Sequence, residues 1–228
     1  WLKENKANKL PLSLLPACLK NHGNLIGSLG QISAALAAEA EQLGVDIFPG
    51  FAATEIVFDE NGHVIGVTTG DMGLDKQGHP TAMYQAGMNL MAKMTFFAEG
   101  CRGQLGKQLI ERFDLAANSG KQTYGLGLKE IWQIPKAQHQ AGLVIHSVGW
   151  PLDNQTYGGG FAYHYGEDLV AVGLVVGLNY ENPYLSPFEE FQRLKTHPAF
   201  SAFLAGGERV SYGARTMVAG GLPALPEL

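Results

Sequence analysis

The sequence predicts a mixed chain, α+β or α/β, with helix and hairpins in its first half and a mostly antiparallel sheet in its second. Three observations carry this. Apolar residues recur every three or four positions across residues 25–43, Asn61-Gly62 sits between two β-rich runs, and beyond Ser119 short runs rich in Gly, Tyr, Trp and Val are separated by turn residues. With 228 residues and 46% apolar composition, the chain can form one large domain or two small ones around a real core.

Taken in order, residues 10–19 are apolar but hold Pro11 and Pro16, which suit neither a helix interior nor a central strand, so a loop is predicted. Such a loop either covers a core edge or enters apolar surroundings such as a membrane surface or a partner. Leu25, Leu29, Ile32, Leu36, Ala40 and Leu43 then line one stripe of an amphipathic helix that Gly44 stops. Residues 45–49 read as a short strand. Residues 54–58 and 64–69 flank Asp59-Glu60-Asn61-Gly62 as a hairpin, and residues 70–83 as a polar connection.

Residues 92–98 resemble a buried strand that runs through Glu99-Gly100-Cys101-Arg102-Gly103 into a helix over residues 104–113. A strand, glycine turn and helix in that order can aim amide groups at a phosphate, although Gly100, Gly103 and Gly106 do not make GxGxxG and an ordinary tight turn has the same spacing. Later strands are expected at 123–128, 144–149, 160–165 and 169–178. Ser186, Pro187 and Glu189 combine a capping box with a first-turn proline, opening a helix that ends before Pro198. By chain order the expected domains are 1–118 and 119–228.

The formal charge of −5 comes without any cluster of Lys and Arg interleaved with aromatics, so no nucleic-acid partner is expected. Cys18 and Cys101 stand far apart, offering neither a disulfide framework nor a metal site, and an iron–sulfur cluster takes four thiolates. No run reaches the roughly 18 to 20 apolar residues that span a bilayer. The chain opens at Trp1 and closes at Leu228 without the marks of natural termini, which reads as a fragment.

Tyr157-Gly158-Gly159-Gly160 is the most informative stretch. Three glycines strip the side chains from one patch of backbone, which suits either a bulge or bend in a strand or a surface on which a flat ligand lies and accepts an amide hydrogen bond.

Several words of this sequence together resemble the electron-transfer flavoprotein-ubiquinone oxidoreductase family: Asn21-His22-Gly23-Asn24, Gln42-Leu43-Gly44-Val45-Asp46-Ile47-Phe48-Pro49-Gly50, Phe97-Ala98-Glu99-Gly100-Cys101-Arg102-Gly103, residues 122–130, residues 148–157 and residues 173–191. The resemblance covers nearly the whole chain. It implies a parent with FAD, one 4Fe-4S cluster and a ubiquinone site, built as a glutathione-reductase-like FAD domain with an inserted antiparallel-sheet quinone-binding domain. This chain then holds the middle, with the N-terminal GxGxxG unit and the four cluster cysteines outside it. On the same grounds residues 1–118 are the central part of the FAD domain and residues 119–228 the ubiquinone-binding domain.

The resemblance places Tyr157, Gly158 and Gly159 on the family's ubiquinone-contact motif, with Gly160 where relatives carry serine. It places Ala98, Glu99 and Gly100 on the turn that approaches the flavin, and Leu10, Leu12, Leu14, Leu15 and Leu19 on an apolar loop at the membrane face. Ser28 stands where some relatives have arginine. The implied partners are reduced electron-transfer flavoprotein, ubiquinone and the surface of an inner membrane, bacterial or mitochondrial, on which a monotopic protein lies. The alternatives are an FAD-dependent reductase or monooxygenase of the same superfamily, and a fragment that binds quinone or lipid without catalysis. No catalytic residue is assigned. Quinone reduction consumes protons, and Asp153 and His164 are the titratable residues nearest the glycines in sequence.

Overall fold

The structure is a computed structural model that describes residues 1–20 and 22–226. Asn21, the first residue of one family word, lies outside the described residues, as does the side chain of Leu12. In chain order the elements are β1 (Leu2–Lys3), β2 (Lys6–Ala7), α1 (Leu29–Gln42), β3 (Ala53–Phe58), β4 (Val64–Thr69), β5 (Met72–Leu74), β6 (Pro80–Gln85), β7 (Asn89–Met91) and α2 (Gln104–Arg112). There follow β8 (Tyr124–Gln133), β9 (Val144–Ser147), β10 (Gly158–Tyr165), β11 (Leu169–Gly177), α3 (Pro187–Thr196), α4 (Pro198–Leu204) and β12 (Glu208–Val218). The mixed helix-and-sheet class predicted from sequence is what forms.

The chain divides into two compact units, residues 1–33 with 121–221, and residues 34–120 with 222–228, so the division falls inside α1. Chain order alone would not group the N-terminal segment with the later half. Leu2 explains it: its N–H donates to the Val148 carbonyl at 2.8 Å, its carbonyl accepts from Trp150 N–H at 3.2 Å, and its side chain is buried in the later half's core.

That first unit holds a five-stranded antiparallel sheet in the order β12-β8-β11-β10-β9. Side chains alternate across a strand, so each strand splits its residues between two faces. Val170, Val172, Leu174 and Val176 of β11 meet Phe191 and Leu194 of α3 and Phe200, Phe203 and Leu204 of α4, with Leu128 and Ala162 beside them. α3 starts where the capping box predicts: Ser186 Oγ accepts from Glu189 N–H at 3.4 Å, with Pro187 in the first turn. It ends at Thr196, and buried His197 turns the chain into α4 by accepting from Ala199 N–H at 3.1 Å.

Glu130, 3% exposed, sits on this covered face and gathers three donors: Lys195 Nζ of α3 at 2.6 Å, Trp132 Nε1 at 2.7 Å and Arg209 Nη1 of β12 at 3.3 Å. Burial works to raise its carboxyl, but the bonds from Lys195, Trp132 and Arg209 outweigh it and hold the group below its ordinary range.

The opposite face is floored with glycine. Gly125 pairs with Gly177, Gly127 with Val175, and Phe161 with Gly173, all on the side away from α3. The Phe161 ring lies against Gly173, and the Met217 methyl lies 2.7 Å from where a Cβ on Gly127 would stand.

In the other unit, β3, β4 and β7 form one sheet and β5 with β6 a separate hairpin. The β3–β4 turn is the predicted Asn-Gly one, with Gly62 at φ 84° and the Asp59 carboxylate accepting from Asn61 N–H at 2.9 Å and His63 N–H at 2.8 Å. Residues 70–83, expected as a connection, instead contain β5 and the start of β6. The reason is a second turn of the same make: Asp75 accepts from Gln77 and His79 N–H, both at 2.8 Å, and Gly78 has φ 85°. α2 packs on β3, with the Arg112 guanidinium 3.9 Å from the Phe58 ring centre.

Three expectations are corrected. The helix expected from residue 25 begins at Leu29, because Ser28 caps it, its Oγ accepting from Gln31 N–H at 3.4 Å and its carbonyl from Ile32 N–H at 3.1 Å. Residues 45–49 and 92–98 form no strand. A strand exists through its partner's ladder, and among the described residues none continues along these two beyond the single bond from Ala92 N–H to the Ile65 carbonyl at 2.9 Å; their Phe48 (56%) and Phe96 (84%) stand exposed.

Two expectations follow for stability. Glu130→Gln leaves the half-buried Lys195 without its counter-charge and is expected to cost about 3 kcal/mol in denaturant unfolding at pH 7. Because the folded-state carboxyl titrates below its ordinary 4.5, that contribution is complete above 4.5 and fades as pH falls through the lowered value. Wild type and variant should therefore converge on acidification, and a constant gap down to pH 2 would refute the ion pair. For the floor, Gly173→Ala sets a Cβ 2.5 Å from the Leu128 carbonyl and 2.6 Å from Phe161 Cε1, whereas Gly127→Ala meets chiefly the free end of Met217. The first should lower stability by about 1–3 kcal/mol and the second by clearly less; equal midpoints would refute the packing.

Candidate functional site

The three glycines of the central motif do not share one face. On β10, Gly160, Ala162 and His164 point to the helix-covered side, while Gly159, Phe161 and Tyr163 point to the glycine-floored side. A Cβ on Gly160 would come 2.6 Å from Leu194 Cδ2 and 2.8 Å from Ser147 Oγ, so α3 packs straight onto that backbone. Cβ atoms on Gly158 and Gly159 would strike the carbonyl oxygens of Val175 and Ser147. Glycine here lets β9 and β11 close on β10 from both sides.

The flat surface lies next to the motif. Gly177 N–H donates to the Tyr157 carbonyl at 2.7 Å, and Tyr157 Cβ lies 3.3 Å from the position of a Cβ on Gly177. Tyr157 thus stands at the end of the floor formed by Gly125, Gly127, Gly173 and Gly177, its ring 77% exposed. At the other end Phe161 stacks on Tyr163 with centroids 5.0 Å apart, and His146 of β9 meets Tyr163 edge-on at 5.6 Å. The side chains of Val175, Phe161 and Met217 lie over these glycines, so the face offers a planar apolar ligand a low apolar surface between aromatic edges. The sequence reading missed this floor, although glycines two apart in Tyr124-Gly125-Leu126-Gly127-Leu128 and four apart in residues 173–177 fall on one face of a strand.

Asp153 and His164 prove structural. The Asp153 carboxylate accepts from Thr156 N–H at 2.7 Å and Gln155 N–H at 3.0 Å, and bonds from the Thr156 side chain and backbone hold it below its ordinary range. It fixes the turn that delivers Tyr157. His164 is fully buried on the covered face, edge-on to Phe203 at 5.1 Å. Its Nδ1 accepts from Gln140 N–H at 3.2 Å, which puts the ring proton on Nε2, and burial together with neighbouring His139 keeps the imidazole neutral by lowering its pKa. It faces away from Gly159 and cannot carry protons to that side.

Ala98, Glu99 and Gly100 are exposed, and nothing lies within 4 Å of where a Gly100 Cβ would stand. Open, side-chain-free backbone of this kind fits the edge of a flat cofactor ring. The α2 N-terminus, in contrast, is taken: the Glu99 carboxylate accepts from Gly106 N–H at 2.6 Å and Leu105 N–H at 3.2 Å. A phosphate would compete there with Glu99, so the tight-turn reading describes that corner. Ser28 serves as the α1 cap already described. An iron–sulfur cluster does not fit the residues present: neither cysteine is in a disulfide, and among the described residues no three His, Cys, Asp or Glu side chains gather to hold a metal.

The apolar loop consists of two single 3-10 turns, Leu12–Leu14 and Ala17–Leu19, each closed by a proline carbonyl, Pro11 accepting from Leu14 N–H and Pro16 from Leu19 N–H, both at 3.0 Å. Leu10 and Leu14 are exposed (56% and 71%), and Leu15 and Leu19 half-buried. No helix among the described residues is long and apolar enough to cross a membrane.

Comparison with known proteins locates this geometry in a family. Residues 124–217, which run from the start of β8 almost to the end of β12, match the model of the ETF-QO ubiquinone-binding family. Over 223 residues the chain is 51% identical to an electron transfer flavoprotein-ubiquinone oxidoreductase of Pseudomonas aeruginosa, covering 97% of this chain and 40% of that protein. It is 52% identical to the mitochondrial enzyme of Homo sapiens, covering 96% of this chain and 36% of the relative. The fold is similar to a geranylgeranyl bacteriochlorophyll reductase-like protein of Thermoplasma acidophilum (TM-score 0.52, 16% identity, 85% of this chain and 44% of that one). It is also similar to a triple mutant of a flavin-dependent brominase (TM-score 0.51, 13% identity, 83% of this chain and 43% of that one). The chain, spanning about two fifths of the length of the curated relatives it matches, is related over nearly its whole length to the electron transfer flavoprotein-ubiquinone oxidoreductases.

Proposed function

We propose that the protein carrying this chain transfers electrons from reduced electron-transfer flavoprotein, through FAD and a 4Fe-4S cluster, to ubiquinone. The observation that carries the reading is the coincidence of the family's ubiquinone-binding match with the five-stranded sheet, which has glycines along one face and a tyrosine at its end. In this reading residues 119–228 form the quinone-binding domain, and residues 1–118 the central part of a glutathione-reductase-like FAD domain. Ala98, Glu99 and Gly100 approach the flavin, while the cluster's ligands lie outside this chain.

Bound flavin supplies the electrons. The chain's own residues place the quinone. Tyr157 frames the ring, the backbone at Gly158 and Gly159 borders it, and the apolar side chains of Val175, Phe161 and Met217 over the glycines exclude water from one side of it. Leu10, Leu12, Leu14, Leu15 and Leu19 form the membrane-facing loop. That loop belongs to the same compact unit as the sheet, which supports reading it as the apolar exit for the isoprenoid tail. Prolines that open its turns leave fewer N–H donors to strand in lipid. The protein would lie on a bacterial cytoplasmic or mitochondrial inner membrane as a monotopic enzyme.

Tyr157→Ala is the variant of choice, because the exposed ring can be removed without touching the sheet, whereas a side chain at Gly159 would strike the Ser147 carbonyl. In the intact enzyme it should lower quinone reduction about tenfold, the value of one lost ring contact of about 1.4 kcal/mol. Flavin reduction by the soluble flavoprotein should stay unchanged. Loss of both half-reactions together, or of neither, would sink the site assignment.

A further inference from the structure

Reducing a quinone to a quinol takes two protons, and the two residues nearest the glycines in sequence are both committed elsewhere: Asp153 to its turn and His164 to the covered face. The sheet register brings a different group to the right side. His146 of β9 is paired with Phe161 of β10, so it shares a face with Gly159 and with the glycine floor. Gly159 lies two residues from Phe161 along β10, which makes it the diagonal neighbour of His146 at about 7 Å between Cα atoms. His146 is solvent-exposed, so its ring can be reprotonated, and the edge-on contact with Tyr163 at 5.6 Å orients it.

We propose that His146, oriented by Tyr163, hands a proton to the bound quinone as it is reduced; this rests on the quinone-reduction reading above. Turning the two ring carbonyls into hydroxyls takes two electrons, which bound flavin would supply, and one proton at each oxygen. At one oxygen an imidazolium N–H bond breaks as the O–H bond forms, leaving neutral imidazole that takes a proton back from solvent. The other oxygen draws its proton from water. Burial pushes the Tyr163 phenol up, so it stays a neutral partner through the cycle. The other titratable groups set on this face are Tyr165 on β10, Lys129 on β8 and Glu208 and Arg215 on β12.

The test uses the intact enzyme, reduced electron-transfer flavoprotein and a short-chain ubiquinone analogue, with His146→Ala, His146→Gln and Tyr157→Ala compared across pH. His146→Ala and His146→Gln should lower kcat for quinone reduction about 100-fold, the lower end of what a positioned proton donor contributes. Both should flatten the pH profile near neutrality and leave flavin reduction untouched. Added imidazole should restore part of the His146→Ala rate. Wild-type kcat and pH profile in the His146 variants, with Tyr157→Ala impaired, would overturn the proposal and leave the quinone site standing. A His146→Ala defect that neither changes the pH profile nor responds to imidazole would also overturn it, marking His146 as a packing residue. Unimpaired quinone reduction in Tyr157→Ala would overturn the quinone-site reading and the proposal with it.

Discussion

The packing of Phe191, Leu194, Phe200 and Phe203 against Val170, Val172, Leu174 and Val176 is the contact on which the first unit rests. It commits one face of the five-stranded sheet to the core. Strand alternation then dictates everything on the other face, because a one-residue slip would exchange the two sets of side chains. Glu130 enforces the choice. Its carboxylate ties α3 through Lys195 and β12 through Arg209 to β8, so helix and edge strand are locked to the same register by a charge that has no other way to be satisfied.

What remains on the free face is a planar surface whose parts come from rigid strands. Placement on strands suits a reaction in which the protein must hold a flat ring at a fixed distance from a redox centre. The glycines act in two ways within a few ångströms. Gly158, Gly159 and Gly160 let neighbouring backbones and α3 approach, and Gly125, Gly127, Gly173 and Gly177 make room for the side chains of Val175, Phe161, Met217 and Tyr157. The first set drew attention as a motif, yet the second shapes the surface.

How far the sequence could be read depended on whether a signal was local. The Asn61-Gly62 hairpin, the Ser186–Glu189 cap and the strands around β8 to β11 are written in neighbouring residues, and they form within a few positions of where periodicity sets them. The second hairpin was concealed because Asp75-Lys76-Gln77-Gly78 lacks an Asn-Gly step, although its carboxylate closes the turn just as Asp59 does. Residues 45–49 and 92–98 have strand-like composition, but strand formation depends on a partner, which no local pattern reports. The family words pointed to Tyr157, whereas sequence proximity singled out His164. Only the pairing of β9 with β10 reveals that His146 shares the face with Gly159 and His164 does not.

The far side of β12 bears on how the molecule keeps to itself. Eleven residues long and outermost in the sheet, this strand offers an unpaired backbone row on which another chain could add a strand. Its pairing with β8 shifts between Arg209 and Ser211, which breaks that row near one end. Glu208, Arg209 and Arg215 place charges along the strand, and β9 at the opposite margin is only four residues long. A second copy would meet an interrupted, charged ladder on one side and a stub on the other, so the sheet is guarded against edge-to-edge self-association.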